Sequence, residues 1–245
     1  MTATALVFLT LTAAPPAEVY TDYSEAYRAA EQSRKFLLID FGSGFDFGGL
    51  PPQQLAAHVL CRIPPSYMIE ANGTRTRLLD SSAFAALEGR PGLAVVDLRN
   101  PPHFGRTVSL LPQRHVTLLK VAAVLTLPPG TLTQRTLVWA FRIHPEHPQS
   151  VYGTACPQLM AHCQRHCGVQ CAMCNQHHAA GHPGSTEIVA ESWPWSRNVV
   201  DAAIDIVQSW RGSSGHWGAA SRRWSRYGYD MQTNGQKWYA TGVFQ

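Results

Sequence analysis

The apolar positions of residues 18 to about 112 switch between helical and strand spacing. Ala26, Ala29 and Ala30 share one face of a helix predicted over Tyr23–Ser33. Phe36-Leu37-Leu38-Ile39-Asp40-Phe41 is nearly all apolar and predicts a strand covered on both faces, ending in the glycine-rich loop 42–49. His58-Val59-Leu60-Cys61-Arg62-Ile63 supplies another strand, Ser81 to Leu87 a short helix, and residues 93–98 a third strand entered through Arg90-Pro91-Gly92. Thr107 to Leu111 pairs beside it. Leu127-Pro128-Pro129-Gly130 then interrupts the chain and marks a domain boundary.

Beyond it a helix capped by Thr131 or Thr133 carries Leu137, Val138 and Phe141 at helical spacing, until His144-Pro145 stops it. A second helix is predicted from Cys156 to about Gln176. Cys163, Cys167, Cys171 and Cys174 fall on one stripe of it, and His162 and His166 form a row beside them. Residues 199–210 predict a third helix ending in Trp210. Tyr227-Gly-Tyr-Asp-Met231 and Trp238-Tyr-Ala-Thr-Gly-Val-Phe244 read as closing strands.

At 245 residues, 45% apolar and 15% charged, the chain suits one large or two small globular α/β domains. A net charge of +4 diluted along the chain gives no footprint for nucleic acid. The run Ala5-Leu6-Val7-Phe8-Leu9-Thr10-Leu11, followed by Thr12-Ala13-Ala14-Pro15-Pro16-Ala17, reads as a secretory leader over residues 1–17. It is too short to cross a bilayer, and no later segment reaches spanning length. The expectation is a secreted or periplasmic protein with no integral membrane segment, whose partner is another protein or a small molecule.

Residues 18–126, with a helix before a buried strand, a loop at its end and a Gly-Arg-Pro turn before a later strand, resemble the thioredoxin-like fold. That resemblance places Pro91 at the family's cis-proline. The loop Gly42-Ser-Gly-Phe-Asp-Phe-Gly lacks the Cys-x-x-Cys, so dithiol oxidoreductase activity is not expected. Cys61, alone in an apolar strand, is expected to be a buried structural thiol.

In residues 127–245, Ala190-Glu191-Ser192, Trp210-Arg-Gly-Ser-Ser-Gly-His216 and the two closing strands resemble the CAP superfamily of cysteine-rich secretory proteins, venom antigens and pathogenesis-related proteins, in its shorter bacterial form. The resemblance implies an α-β-α sandwich with an open cleft in which two histidines and acidic residues hold a divalent metal. Carried over, the metal residues are Glu191, His216 and one of His177, His178 and His182, with His177 or His178 favoured by spacing. A further family acid is replaced here by Ser213. Two imidazoles and one carboxylate suit Zn²⁺ with an open fourth position. The functional expectation is an exported binding protein whose cleft holds a metal or small ligand. The alternative is a zinc-dependent peptidase or esterase in which Glu191 takes a proton from metal-bound water.

The cysteines leave several readings open. The four can line the core-facing side of their helix; Cys171 and Cys174 with His177 or His178 can make a zinc half-site; Cys156 can form a disulfide with one of the four. The spacing Cys167-x3-Cys171-x2-Cys174 also occurs in radical enzymes using an iron–sulfur cluster, but the βα repeats of that fold do not follow here. A thiol redox role for Cys171 and Cys174 is not expected, since a helix interior lacks the N-terminal field that favours a thiolate.

Overall fold

The computed structural model describes residues 18–71, 73–99, 101–192 and 198–245; the leader expected over residues 1–17 lies outside the described residues. The chain is mixed α/β, with two larger sheets and one hairpin. In chain order it runs β1 (Val19–Tyr20), α1 (Tyr23–Ser33), β2 (Phe36–Phe41), α2 (Pro52–Leu55), β3 (His58–Ile63), β4 (Met68–Ala71), β5 (Thr74–Arg77), β6 (Gly92–Asp97), β7 (Arg106–Pro112) and α3 (Leu118–Leu125). It continues with α4 (Leu132–Arg142), β8 (Thr154–Ala155), α5 (Pro157–Met173), β9 (Thr186–Glu191), α6 (Val199–Arg211), α7 (Ser214–Ser221), β10 (Arg226–Thr233) and β11 (Trp238–Phe244).

The first sheet has the order β1-β3-β2-β6-β7; β3 is parallel to β1 and β2, while β6 and β7 are antiparallel to their inner neighbours. β2 is buried along its whole length because both faces are covered. Leu37, Ile39 and Phe41 face Ala26 and Ala30 of α1, and Leu38 faces Val121 and Val124 of α3. Asp40 is tolerated in this strand because its carboxylate accepts from Ser43 N and Oγ and from Arg62 Nε. Cys61 is buried in β3, and burial pushes its thiol up to about 12.

Three elements of this half differ from the sequence expectation. The β4–β5 hairpin carries Thr-Arg-Thr-Arg on β5 and is largely exposed there, so no apolar alternation announces it. α3 is capped by Thr117 and is apolar apart from Lys120, so its near-uniform Leu, Val and Ala hide the helical period. Residues 82–87 form a 3₁₀ helix, broken at Phe84 by non-helical backbone. Pro91 precedes β6, but the cis peptide bond among the described residues is Pro101–Pro102, not Arg90–Pro91.

The second sheet has the order β8-β10-β11-β9, with β11 antiparallel to both long neighbours. α5 lies on one face; α4 and α6 lie on the other, where Phe141 and Trp210 stack at 5.6 Å and both meet Tyr229. Gly228 lets α5 approach β10 closely, since a Cβ there would sit 2.4 Å from the Leu159 carbonyl carbon.

One apolar core runs from the first sheet through α3 and α4 into the second. Arg135 of α4 ties the two sheets at this junction. Its buried guanidinium donates to Val108 O, Ser109 Oγ, Val124 O, Leu127 O and Pro128 O. The capping box of Thr131 and Gln134 starts the helix there.

The cysteine stripe divides along its length. Cys163 and Cys167 are buried, with thiols donating to Gly228 O and Asp230 O. Cys171 is half-buried. Cys174 is not on the helix at all: α5 ends at Met173, and Cys174 caps it in the left-handed conformation at φ 51°. Cys156 packs near Cys163, but all six thiols are free.

Candidate functional site

β9 is the open edge of the second sheet, and two layers meet over it. The loop after α5 comes from one face and α7 from the other. Along β9, Ile188 and Ala190 enter the core shared with α4 and α6, which turns Glu187, Val189 and Glu191 toward the α5 side. Trp210, wholly buried at the end of α6, donates from Nε1 to Val189 O at 2.9 Å and fastens the helix to this edge.

Glu187 is the organising residue. Its side chain is 1% exposed, and Oε2 accepts from His178 Nδ1 and from Ala179 N, each at 2.9 Å. A carboxylate oxygen accepts, so Nδ1 of His178 carries the hydrogen of this bond, and a ring singly protonated there has its lone pair on Nε2. The ring of His216, in the first turn of α7, stands 6.3 Å from that of His178. Burial, and secondarily His178, lowers the pKa of His216 and favours its neutral, ligating form. Glu187 Oε1 faces His162 Nε2 of α5 at 3.6 Å, and both atoms are buried without a hydrogen-bond partner.

This set differs from the expected one. Of the loop histidines, His178 is the one that reaches Glu187 and stands beside His216. His177 turns the other way: its Nδ1 meets Asn175 O, and its carbonyl accepts from His166 Nε2 at 2.8 Å. His182 Nδ1 is buried without a partner. Glu191 lies four residues along β9 from Glu187, about 13 Å at strand rise, and its carboxylate pairs with Lys237 Nζ at 3.0 Å. The hydrolase expectation placed Glu191 at the metal, and the structure does not bring it there. Glu187 was overlooked because Ala190-Glu191-Ser192 drew the assignment; the strand alternation of Thr186–Glu191 puts either glutamate on the same face. His216 itself lies in helix α7.

The zinc half-site at Cys171 and Cys174 is not completed by a histidine, since His177 and His178 are engaged elsewhere. Among the described residues no group of three or more His, Cys, Asp or Glu side chains is arranged to hold a metal ion. At the β9 edge two imidazoles are available, and Glu187 acts behind one of them. With metal–nitrogen bonds of about 2.1 Å, two imidazoles on one tetrahedral ion place their ring centres roughly 5–5.6 Å apart, so the 6.3 Å seen here closes by somewhat under 1 Å when both ligate one ion. A cavity of about 240 Å³ lies elsewhere, between β7 and the start of α4, lined by residues that include His103 and Arg106.

No family model, curated protein or solved structure matches this chain.

No helix among the described residues is long and apolar enough to cross a membrane. The site is therefore read from its own geometry.

Proposed function

We propose that this chain is an exported binding protein, with a CAP-like second half whose β9 edge holds a divalent metal ion between His178 and His216. The observation that carries this reading is the Glu187–His178 hydrogen bond. It orients His178 through Nδ1 and leaves Nε2 available beside the ring of His216, whose protonation burial disfavours. When bound, zinc would complete its shell with water or a small polar ligand and act as the recognition point for that ligand.

The first half serves as a thioredoxin-like scaffold without redox chemistry. Its resemblance is supported by α1 preceding the buried β2, by the loop at the end of β2 and by the turn leading into β6. The position after β2 where a redox thiol would be needed holds Ser43, locked by its backbone and hydroxyl onto the buried Asp40.

Zinc titration of the full chain by calorimetry tests the reading. One site per chain is expected, abolished in His178→Ala and in His216→Ala and retained in Glu191→Gln. Binding that survives both histidine substitutions would overturn it.

A further inference from the structure

The end of α5 presents two thiols whose setting differs from that of the other four. Cys171 is half-buried on the last turn, and Cys174 is exposed as the cap. The left-handed conformation of Cys174 folds the chain back. Its N–H donates to Cys171 O, and its sulfur lies 3.6 Å from that same carbonyl oxygen. The two positions are three residues apart across a helix end, where Cβ atoms sit about 5–6 Å apart. A disulfide needs Cβ atoms about 3.5–4.5 Å apart, so closure takes a shift of the backbone at the Cys174 cap as well as rotation of both χ1 angles.

Polar groups stand at the outer sulfur. Asn234 Nδ2, from the turn between β10 and β11, donates to Cys174 Sγ at 3.3 Å. Lys237 ends the same turn, held by Glu191, and its ammonium is raised first by that carboxylate and in small part by the Cys174 sulfur. Cys163 and Cys167 have no such access, since both are buried, their thiols are engaged and burial raises them far above the ordinary range. Cys61 and Cys156 are buried as well.

We infer that Cys171 and Cys174 form an oxidisable dithiol that closes to an intramolecular disulfide by exchange with a small-molecule disulfide. The Cys174 thiolate attacks one sulfur of the small disulfide and expels one small thiol, leaving a mixed disulfide. Cys171 then attacks Cys174 Sγ and expels the second. Two protein thiols are oxidised, one small disulfide is reduced to two thiols, and the two thiol protons leave on the products. Closure pins the point where the chain leaves α5 and releases Asn234 from its sulfur contact. This is a modification site rather than a turnover centre, because the cap lies at the C-terminal end of its helix, where the dipole does not favour a thiolate.

The test is to equilibrate the reduced full chain with glutathione disulfide, block remaining thiols with an alkylating reagent and map the cysteine peptides by mass spectrometry. The expected result is loss of two of the six thiols, with a bond between Cys171 and Cys174 and with Cys167 alkylated. Cys174→Ser, a change at an exposed position, is expected to yield no intramolecular disulfide. A glutathione adduct persisting on Cys174, a bond from either residue to Cys167, or two untouched thiols would each overturn the inference.

Discussion

Asp230 is a buried carboxyl on β10 whose environment converts directly into a pH dependence of stability. Burial raises its pKa from 3.8 to about 6, against the opposing hydrogen bonds from Thr133, Met231 N and Gln134. Those bonds are present, from Thr133 Oγ1 at 2.6 Å, Met231 N at 2.8 Å and Gln134 Nε2 at 3.2 Å, and desolvation outweighs them. Because the folded value is the higher one, the native state keeps this proton where the unfolded chain has released it. The contribution is fully present well below about pH 4 and is lost as pH rises through about 6. Two pKa units at about 1.4 kcal/mol each give a loss of about 3 kcal/mol over that window. The perturbation is Asp230→Asn, which removes the titration and nearly preserves the shape. Urea unfolding of both proteins at pH 4, 5, 6 and 7 isolates the term, since other titrating groups cancel in the difference. The stability of wild type relative to the variant is expected to fall by about 2–2.5 kcal/mol between pH 4 and 7, the rest of the loss lying below pH 4. A difference that stays constant, or that grows with pH, would refute the reasoning.

Three further outcomes follow from the packing and the site. Glu187→Gln is expected to weaken zinc binding about 10- to 100-fold, by removing the charge that orients His178; calorimetry checks this, and Glu191→Gln is the matched control. Gly228→Ala is expected to destabilise the chain by at least about 2 kcal/mol, because the new Cβ meets the α5 backbone at 2.4 Å from Leu159; denaturant unfolding measures it. Trp210→Ala should cost about 3–5 kcal/mol through the lost aromatic volume between Phe141 and Tyr229 and the lost Nε1 hydrogen bond to Val189 O, read by the same unfolding transition.

How much of this was legible in the sequence depended on periodicity. The buried β2, the face of α1, and the closing strands β10 and β11 all follow from apolar spacing that tertiary packing reinforces. α3 escaped because a run apolar but for Lys120 carries little helical period, and the β4–β5 hairpin because it is largely exposed on β5. The end of α5 was misplaced for a local reason: the stripe through Cys174 continues the helical spacing, and nothing in the residue type announces that its backbone turns left-handed. The site was half-legible. His178 and His216 were among the candidates, but separating Glu187 from Glu191 needs to know which end of β9 lies beside α7. That is a matter of sheet register and layer order, which residues 186–191 do not encode on their own. His162, four residues from His166 on α5, stood out only as a neighbour of the cysteines, and its approach to Glu187 arises from packing of α5 on the β10–β11 face of the sheet.

The central claim is that His178 and His216 hold one metal ion with Glu187 behind His178. Crystals of the full chain grown with zinc and measured on both sides of the zinc absorption edge test it most directly. The account predicts a single anomalous peak bonded to His178 Nε2 and His216, with Glu187 still accepting from His178 Nδ1. A peak at Cys171 and Cys174, or a peak on Glu191 with neither histidine, would contradict it.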